Sequence, residues 1–576
     1  MVEHKLDYSE QGSSHLLYKN DYQKFIEYNI KDVELVEQLE EKLKLIEMVV
    51  SLAYLCKVNY SNTFGQVRMW DTLIYNNLLR KNIVIPPKPH SSKSANFEGA
   101  FVKEPILGMH DWVVNFDLNS LYPHLIMQYN ISPETLVGMH SIDKSEKYFE
   151  GSMVESMLKQ STDTAFLKEK NLTMAPNGSL YTREKQGFLP EMMQNIYSDR
   201  VKFKELMIET KKKLTKEKDP KKKHELSNLV SKYHNMQLNL KITLNSAFGA
   251  MGNEYFRYFD QRLAEAVTTS GQLSIRWIED EINQYLNNLL KPKEKKDYVV
   301  AVDTDSVYIR MDDLVKQVFG EDIQDKSKVV DFLDKVCSEK MEDIIDKSYQ
   351  ALADYVNAYD QKMVMKRENI ADRALWTAKK RYIMNVHDSE GVRYEEPQLK
   401  IMGIEAIRSS TPAACKDKMK HIFKIIMNGT EDDAIKYIDD FREEFRTLEV
   451  EDIFFPRSVR GLSKYFDAAQ LYIKGSPVHV KGALLYNKLL KDKKLLSSYP
   501  TIKEGEKLKF AYLKKPNPVG AEVISILNNL PVEFELKDYI DYDKQFQKAF
   551  LEPMSLVMDS VGWKTEFVST LEDFFG

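Results

Sequence analysis

"YVVAVDTDSVYI", residues 298–309, sets two carboxylates one residue apart between two apolar runs. Val299, Val300 and Val302 surround the approach to Asp303 and Asp305, and Val307 and Ile309 follow them. Short β-branched runs on either side of a polar knot predict a buried hairpin with both carboxylates at its tip. Asp, Thr and Ser also hydrogen-bond their own backbone and build tight reversals without any ligand. Two anions held close on a buried edge, however, repel unless a cation lies between them. The stretch alone leaves a plain turn and a metal site both open.

The rest of the chain narrows the choice. Its 576 residues exceed a single core, so several domains are expected. A composition 43% hydrophobic and 29% charged is that of a globular protein. The three cysteines, Cys56, Cys337 and Cys415, are far apart, which excludes a disulfide framework or zinc finger and points to a reducing compartment. No secretory signal pattern opens the sequence, and the longest apolar stretch, residues 48–55, is too short to span a bilayer. It predicts a buried helix, and the whole reads as a cytoplasmic protein. The formal net charge of −5 hides a strongly basic block at residues 200–241, including "KKKLTKEKDPKKKH" at 211–224. Within it, Asp219-Pro220 predicts the turn between two helices.

A third carboxylate appears in "WVVNFDLNSLYPHLI", residues 112–126. Trp112 to Phe116 read as a buried strand and Asp117 falls at its end. Pro123 predicts an extended Tyr122 with a helix starting after it. An Asp at a strand end serves equally as a cap. Farther on, Arg200 and Lys204 share one helix face, as do Lys241 and Asn245, with Phe248 and Gly249 a turn beyond. If the two helices pack antiparallel across the turn near Pro220, three cations and an amide face one anion. Taken singly, each is also an ordinary surface residue of a helical hairpin.

Together these pieces describe a phosphoryl-transfer site. Oxygen ligands from Asp117, Asp303 and Asp305 suit octahedral Mg²⁺, and two such ions would activate a hydroxyl and neutralise a leaving oxygen. The basic hairpin would hold a charged triphosphate.

At this point the sequence resembles the family B DNA polymerases, in particular those of T-even-like bacteriophages. "DLNSLYP" (117–123) is similar to polymerase motif A, "KITLNSAFG" (241–249) to motif B, and "DTDS" (303–306) to motif C. "KKRY", Lys379, Lys380, Arg381 and Tyr382, resembles the primer-gripping motif that follows. The resemblance implies an α+β right-hand polymerase: an antiparallel-sheet palm (90–186 and 254–402), helical-hairpin fingers (187–253) and a mostly helical thumb (403–576). It implies template-directed DNA synthesis with two Mg²⁺ ions, on primer-template DNA and deoxynucleoside triphosphates, in the cytoplasm of an infected bacterial host. Asp117, Asp305 and Asp303 would be catalytic, with Asp117, Asp305 and the Leu118 carbonyl as metal ligands. Arg200, Lys204, Lys241 and Asn245 would meet the triphosphate, with Ser120 and Leu121 alongside. Tyr122 would pack on the deoxyribose and exclude a ribose hydroxyl. Phe248, Gly249 and the KKRY residues would touch DNA.

Some positions depart from the family pattern. Ala301-Val302 replace Tyr-Gly before motif C, Phe248 stands for Tyr in motif B, and "FEGA" (97–100) stands where Tyr is common. Tyr28 and Asp32 resemble the last proofreading-exonuclease motif, but the two earlier motifs are missing. Residues 1–89 therefore read as an exonuclease remnant with part of an amino-terminal domain: either the polymerase is split and a separate chain carries the rest, or the reading frame is truncated. Leu571, Phe574 and Phe575 resemble the C-terminal peptide with which such polymerases dock on a sliding clamp. The competing expectations are an inactivated fragment that binds primed DNA or scaffolds a replisome, and a sugar-nucleotide enzyme with DxD metal chemistry. The second leaves the fingers cations and KKRY without a role.

Overall fold

The computed structural model describes residues 5–6, 8, 11, 14–88, 98–140, 153–321 and 323–566. At its centre six antiparallel strands unite segments far apart in the chain. They are β1 (Gly108–Leu118), β2 (Val299–Asp303), β3 (Ser306–Arg310), β4 (Met365–Ala378), β5 (Arg381–Ser389) and β6 (Val392–Met402). Side by side they run β2-β3-β1-β4-β5-β6. Period-two alternation gives the sheet two apolar faces. Val114, Phe116, Leu118, Val302 and Val307 enter the largest core. Val113, Tyr308, Trp376 and Tyr382 form a separate cluster.

The hairpin expected at residues 298–309 is present: β2 and β3 pair antiparallel, Asp303 opposite Ser306, with Thr304 and Asp305 as its loop. Thr304 takes a left-handed φ of 60° to close it.

Seven helices position the sheet and the cleft beside it: α1 (Tyr22–Leu43), α2 (Leu45–Cys56), α3 (Gln66–Arg80), α4 (Leu121–Gln128), α5 (Phe188–Lys216), α6 (Pro220–Met251) and α7 (Gln261–Leu290). α5 and α6 form the helical hairpin that the Asp219-Pro220 signal predicts. Asp219 caps α6 by accepting from the Lys221 N–H, and Pro220 fills the first helical position, where its missing N–H costs nothing. The root of α6 is pinned by Trp70 of α3, whose Nε1 donates to the Thr243 carbonyl at 3.2 Å and to Ser246 Oγ at 3.0 Å. α7 buries Leu263, Val267, Ile275, Ile278 and Ile282 in the main core. No helix among the described residues is long and apolar enough to cross a membrane.

Three expectations need correction. Tyr122 is helical, not extended, because α4 begins at Leu121 and places Pro123 third. The first four N–H groups of a helix have no internal partner, so proline there forfeits no bond. Burial of Leu121, Leu125 and Ile126 holds the turn. Residues 48–55 lie in a helix as expected, but one only partly buried. α2 sinks Leu52 and Cys56, whereas Val50, Tyr54 and Leu55 stay exposed, since it packs on α3 and α6 from one side. Finally, the C-terminal part is not only helical and irregular. Beside helices such as Ala413–Asn428 and Val478–Asp492 it holds a three-stranded sheet of Phe455–Ser458, Lys507–Tyr512 and Val523–Ile526. The alternation in "KLKFAY" sets its middle strand.

One glycine governs the turn between β4 and β5. Gly403 has φ +68°, and a Cβ there would stand 2.1 Å from the Lys380 carbonyl oxygen. Gly403→Ala should therefore destabilise the protein by about 1–3 kcal/mol through overpacking and backbone strain. Chemical denaturation of the purified chain checks this; an unchanged midpoint would contradict it.

Candidate active site

Strand register assembles the site. Asp117 lies directly opposite Ser306 on one side and Lys366 on the other, and Ser306 lies opposite Asp303. Residues paired this way project from the same face, so Asp303, Ser306, Asp117 and Lys366 form one row across four strands. Two backbone bonds fix the end of the row. The Leu118 N–H donates to the Asp305 carbonyl at 2.9 Å and the Asn119 N–H to that of Val364 at 3.0 Å. Ser306 Oγ donates to Asp117 Oδ2 at 2.8 Å.

Burial pushes the Asp305 carboxyl up to about 7, helped by the charge of Asp117. Burial also raises Asp117, opposed by the Ser306 hydrogen bond and reinforced by Glu368. A cation set between two such carboxylates removes the repulsion. Among the described residues no three His, Cys, Asp or Glu side chains close on one point. Two neighbouring carboxylates are nevertheless donors that a hard divalent cation would take, with waters and substrate oxygens completing its shell. Asp303 is placed differently: its Oδ1 accepts from Thr304 Oγ1 at 3.1 Å and pairs with Lys380 Nζ at 3.2 Å.

Opposite the acids stands the helical hairpin. Lys204 of α5 and Lys241 of α6 line one cleft of about 590 Å³ with Asp117 and Glu368. Arg200 reaches further in, donating from Nη1 to Ser120 Oγ at 3.1 Å, while its buried Nε has no hydrogen-bond partner among the described residues. Asn245 is exposed on α6. The Tyr122 ring lies 4.6 Å from that of Phe248 and borders Gly271, so motif A and motif B meet through these aromatics. The Leu121 side chain is buried in the core, leaving only its backbone near the cleft. Gly249 brings α6 against Gln66, whose Oε1 would stand 2.4 Å from a Cβ.

Each KKRY residue has its own anchor. Lys379 pairs with Glu104 at 2.9 Å and Lys380 with Asp303. Arg381 grips Glu405 through two bonds of 3.0 and 2.7 Å. Tyr382 is buried, its hydroxyl 2.7 Å from that of Tyr308 beneath the hairpin. Tyr28 and Asp32 lie elsewhere, on α1: Lys5 pairs with Asp32 at 3.0 Å and Tyr8 packs edge-on against Tyr28. Leu571, Phe574, Phe575 and Phe97 fall outside the described residues.

The sequence did not single out Glu368. It accepts from Asn115 Nδ2 at 2.7 Å and pairs with Lys400 at 3.0 Å, and its charge raises both Asp117 and Asp305. Its only local sign is the alternation of "MKREN" in β4.

The model for DNA polymerase family B matches residues 63–542. The DNA-directed DNA polymerase of Enterobacteria phage T4 is 32% identical over 99% of this chain and 67% of its own length. That of Escherichia phage RB69 is 32% identical over 99% of this chain and 66% of its own. DNA polymerase 1 of Pyrococcus abyssi is 23% identical over 85% of the chain and 52% of its own length. The chain thus spans about two thirds of the phage proteins.

Because the folded protein holds the Asp305 proton more tightly than the unfolded chain, whose Asp titrates near ~3.9, stability without metal falls as pH rises toward about 7. Asp305→Asn removes that charge. In chelator it should melt above the wild type at alkaline pH and converge with it in acid below both values. Parallel pH profiles for the two proteins would refute this.

Proposed function

The chain belongs to DNA polymerase family B, and from that membership we propose that it extends a DNA primer on a template by transferring deoxynucleotides from their triphosphates. One observation carries the reading: Asp117, close enough to Asp305 for its charge to raise that carboxyl, shares a single cleft with Lys204 and Lys241 of the helical hairpin. Acids on one wall and cations on the other suit a substrate with a reactive hydroxyl at one end and a polyphosphate at the other.

In this reading Asp117, Asp305 and the Leu118 carbonyl hold two Mg²⁺ ions. Such ions, when bound, would supply Lewis acidity for the primer 3′-hydroxyl and positive charge beside the phosphates. Ser306 keeps Asp117 oriented through its hydrogen bond. Lys204, Lys241 and Arg200 hold the triphosphate, and electrostatic groups preset toward developing charge need no reorganisation during reaction. Tyr122, backed by Phe248 and Gly271, forms the wall under the sugar. Lys379 and Lys380 present ammonium groups at the β4–β5 turn for the primer backbone. Asp303 acts mainly by holding Lys380.

We assign the sheet segments (90–186 and 254–402) to the palm, the α5–α6 hairpin (187–253) to the fingers and 403–576 to the thumb. Within residues 1–89, Tyr28 and Asp32 of α1 take a structural role, held by Tyr8 and Lys5. The exposed Ile30, Val33, Val36, Leu39 and Leu43 of α1 leave an apolar face there for a further protein segment. Docking of the C-terminal tail on a sliding clamp rests on the sequence resemblance. Action in the cytoplasm of an infected bacterium rests on the phage relatives.

Primer extension with Mg²⁺ and deoxynucleotides tests the proposal. Asp117→Ala or Asp305→Ala should each reduce extension at least ~100-fold while DNA binding persists. Near-normal turnover in either variant would refute the assignment, and an inactive wild type would favour the inactivated DNA-binding fragment.

Lys241→Ala should raise the KM for nucleotide or lower kcat roughly 10-fold or more, since it removes a charge aimed into the cleft. Lys222→Ala, on the exposed turn of the same hairpin, should change neither by more than about twofold. Equal effects at the two positions would sink the distinction.

A further inference from the structure

The cleft holds a cation on its sheet side to which neither sequence motif nor proposed mechanism gives a role. Lys366 stands directly across from Asp117 in the β1–β4 ladder and lines the same cleft as Lys204 and Lys241. In such pairs the Cβ atoms lie about 4.5–5.5 Å apart, and a flexible four-carbon stem carries the ammonium beyond that. The side chain is 56% exposed, and its Nζ pairs with Glu342 at the cleft wall. The next residue shows the contrast: the Arg367 guanidinium is only 8% exposed and is locked between Asp334 and Asp388.

Charge explains why a mobile cation is needed there. Apart from Lys366 and the locked Arg367, the charged groups on this side are Asp117, Asp334, Glu342, Glu368 and Glu390, all acids. Lys400 is already paired with Glu368. The other lysines lining the cleft, Lys204 and Lys241, come from the helical hairpin. A triphosphate lying between the walls would meet attraction from one side and carboxylates from the other.

We propose that Lys366 is a nucleotide-binding residue, released from Glu342 to contact the phosphate tail of the incoming triphosphate. This rests on the polymerase reading above. The exchange costs little, because the lysine end of the pair is solvent-exposed and exposed ammonium groups gain little from one partner, whereas a charge-assisted bond to phosphate is among the stronger polar contacts. Glu342 then acts as the parking acceptor: it also receives the Arg367 backbone N–H at 3.4 Å, so it keeps a partner when Lys366 leaves.

The test measures deoxynucleoside triphosphate binding to the purified chain on primer-template DNA whose primer ends in a dideoxynucleotide, so that no bond forms. Lys366→Ala should weaken nucleotide binding roughly 10- to 100-fold with DNA affinity unchanged. Glu342→Gln breaks the same ion pair but frees the lysine, so it should bind nucleotide as well as the wild type or better. Matched losses in the two variants would mean that the pair is only structural and would overturn the proposal. So would a Lys366→Ala variant within twofold of the wild type. Primer extension by the wild type separates the two levels. If it extends and Lys366→Ala binds normally, this inference alone fails; if it does not extend, the polymerase reading fails with it.

Discussion

The register of β3, β1 and β4 is the constraint on which the site depends. Asp117 meets Ser306 and Lys366 only in the observed pairing. A slip of one residue would exchange the faces of the sheet, sending Asp117 inward and Phe116 into the cleft. The register is defended on both sides. Val114, Phe116 and Leu118 fill the main core, while Val113 packs with Tyr308, Trp376 and Tyr382. Apolar burial on two faces thus determines where a carboxylate stands, though the carboxylate itself contributes nothing favourable to folding.

It detracts from it. Raised Asp117 and Asp305 carboxyls are charges that the fold would shed if stability were the only demand. The backbone around them is also strained: Thr304, Ser120 and Lys380 all adopt left-handed φ values, 60°, 49° and 60°. Such residues cost of order 1–3 kcal/mol each and persist only where the surroundings over-determine them. Each one turns the chain at the cleft: Thr304 closes the hairpin beside Asp305, Ser120 leads from Asp117 into α4, and Lys380 makes the turn that reaches Asp303. Strain and like-charge repulsion therefore concentrate on the same few residues, on a scaffold with two cores to support them.

Local signals carried much of this architecture in the sequence. Apolar runs flanking "DTDS" predict a hairpin because strand pattern and turn chemistry act within a few residues, and Asp219-Pro220 announces its helix start just as directly. Tyr122 was misread because the pre-proline preference is a local rule, here outweighed by the burial of Leu121, Leu125 and Ile126. The open face of α2 escaped notice because composition reports how apolar a segment is, not how many neighbours it finds. Glu368, Lys400 and Lys366 were silent for a different reason. Their roles arise from cross-strand partners more than 30 residues away or, for Asp117 and Lys366, about 250, and no spacing in the chain encodes that.

The two walls of the cleft arise from different parts of the fold, and this shapes how the site works. Asp117 sits on a paired strand and Asp305 in the tight loop joining two others, so their separation is set by the ladder. Lys204 and Lys241 ride on helices of 29 and 32 residues whose connecting turn is exposed. Among the contacts that join the walls are Arg200 to Ser120 and Phe248 against Tyr122. Trp70 adds a third tie at the root of α6. A polyphosphate entering between the walls would supply the charge that neither side can supply alone, drawing in the hairpin lysines and, from the sheet, the ammonium of Lys366. On the proposed reading, acids fixed by the ladder would hold cations at set places, and the long, exposed bases would first let the substrate in.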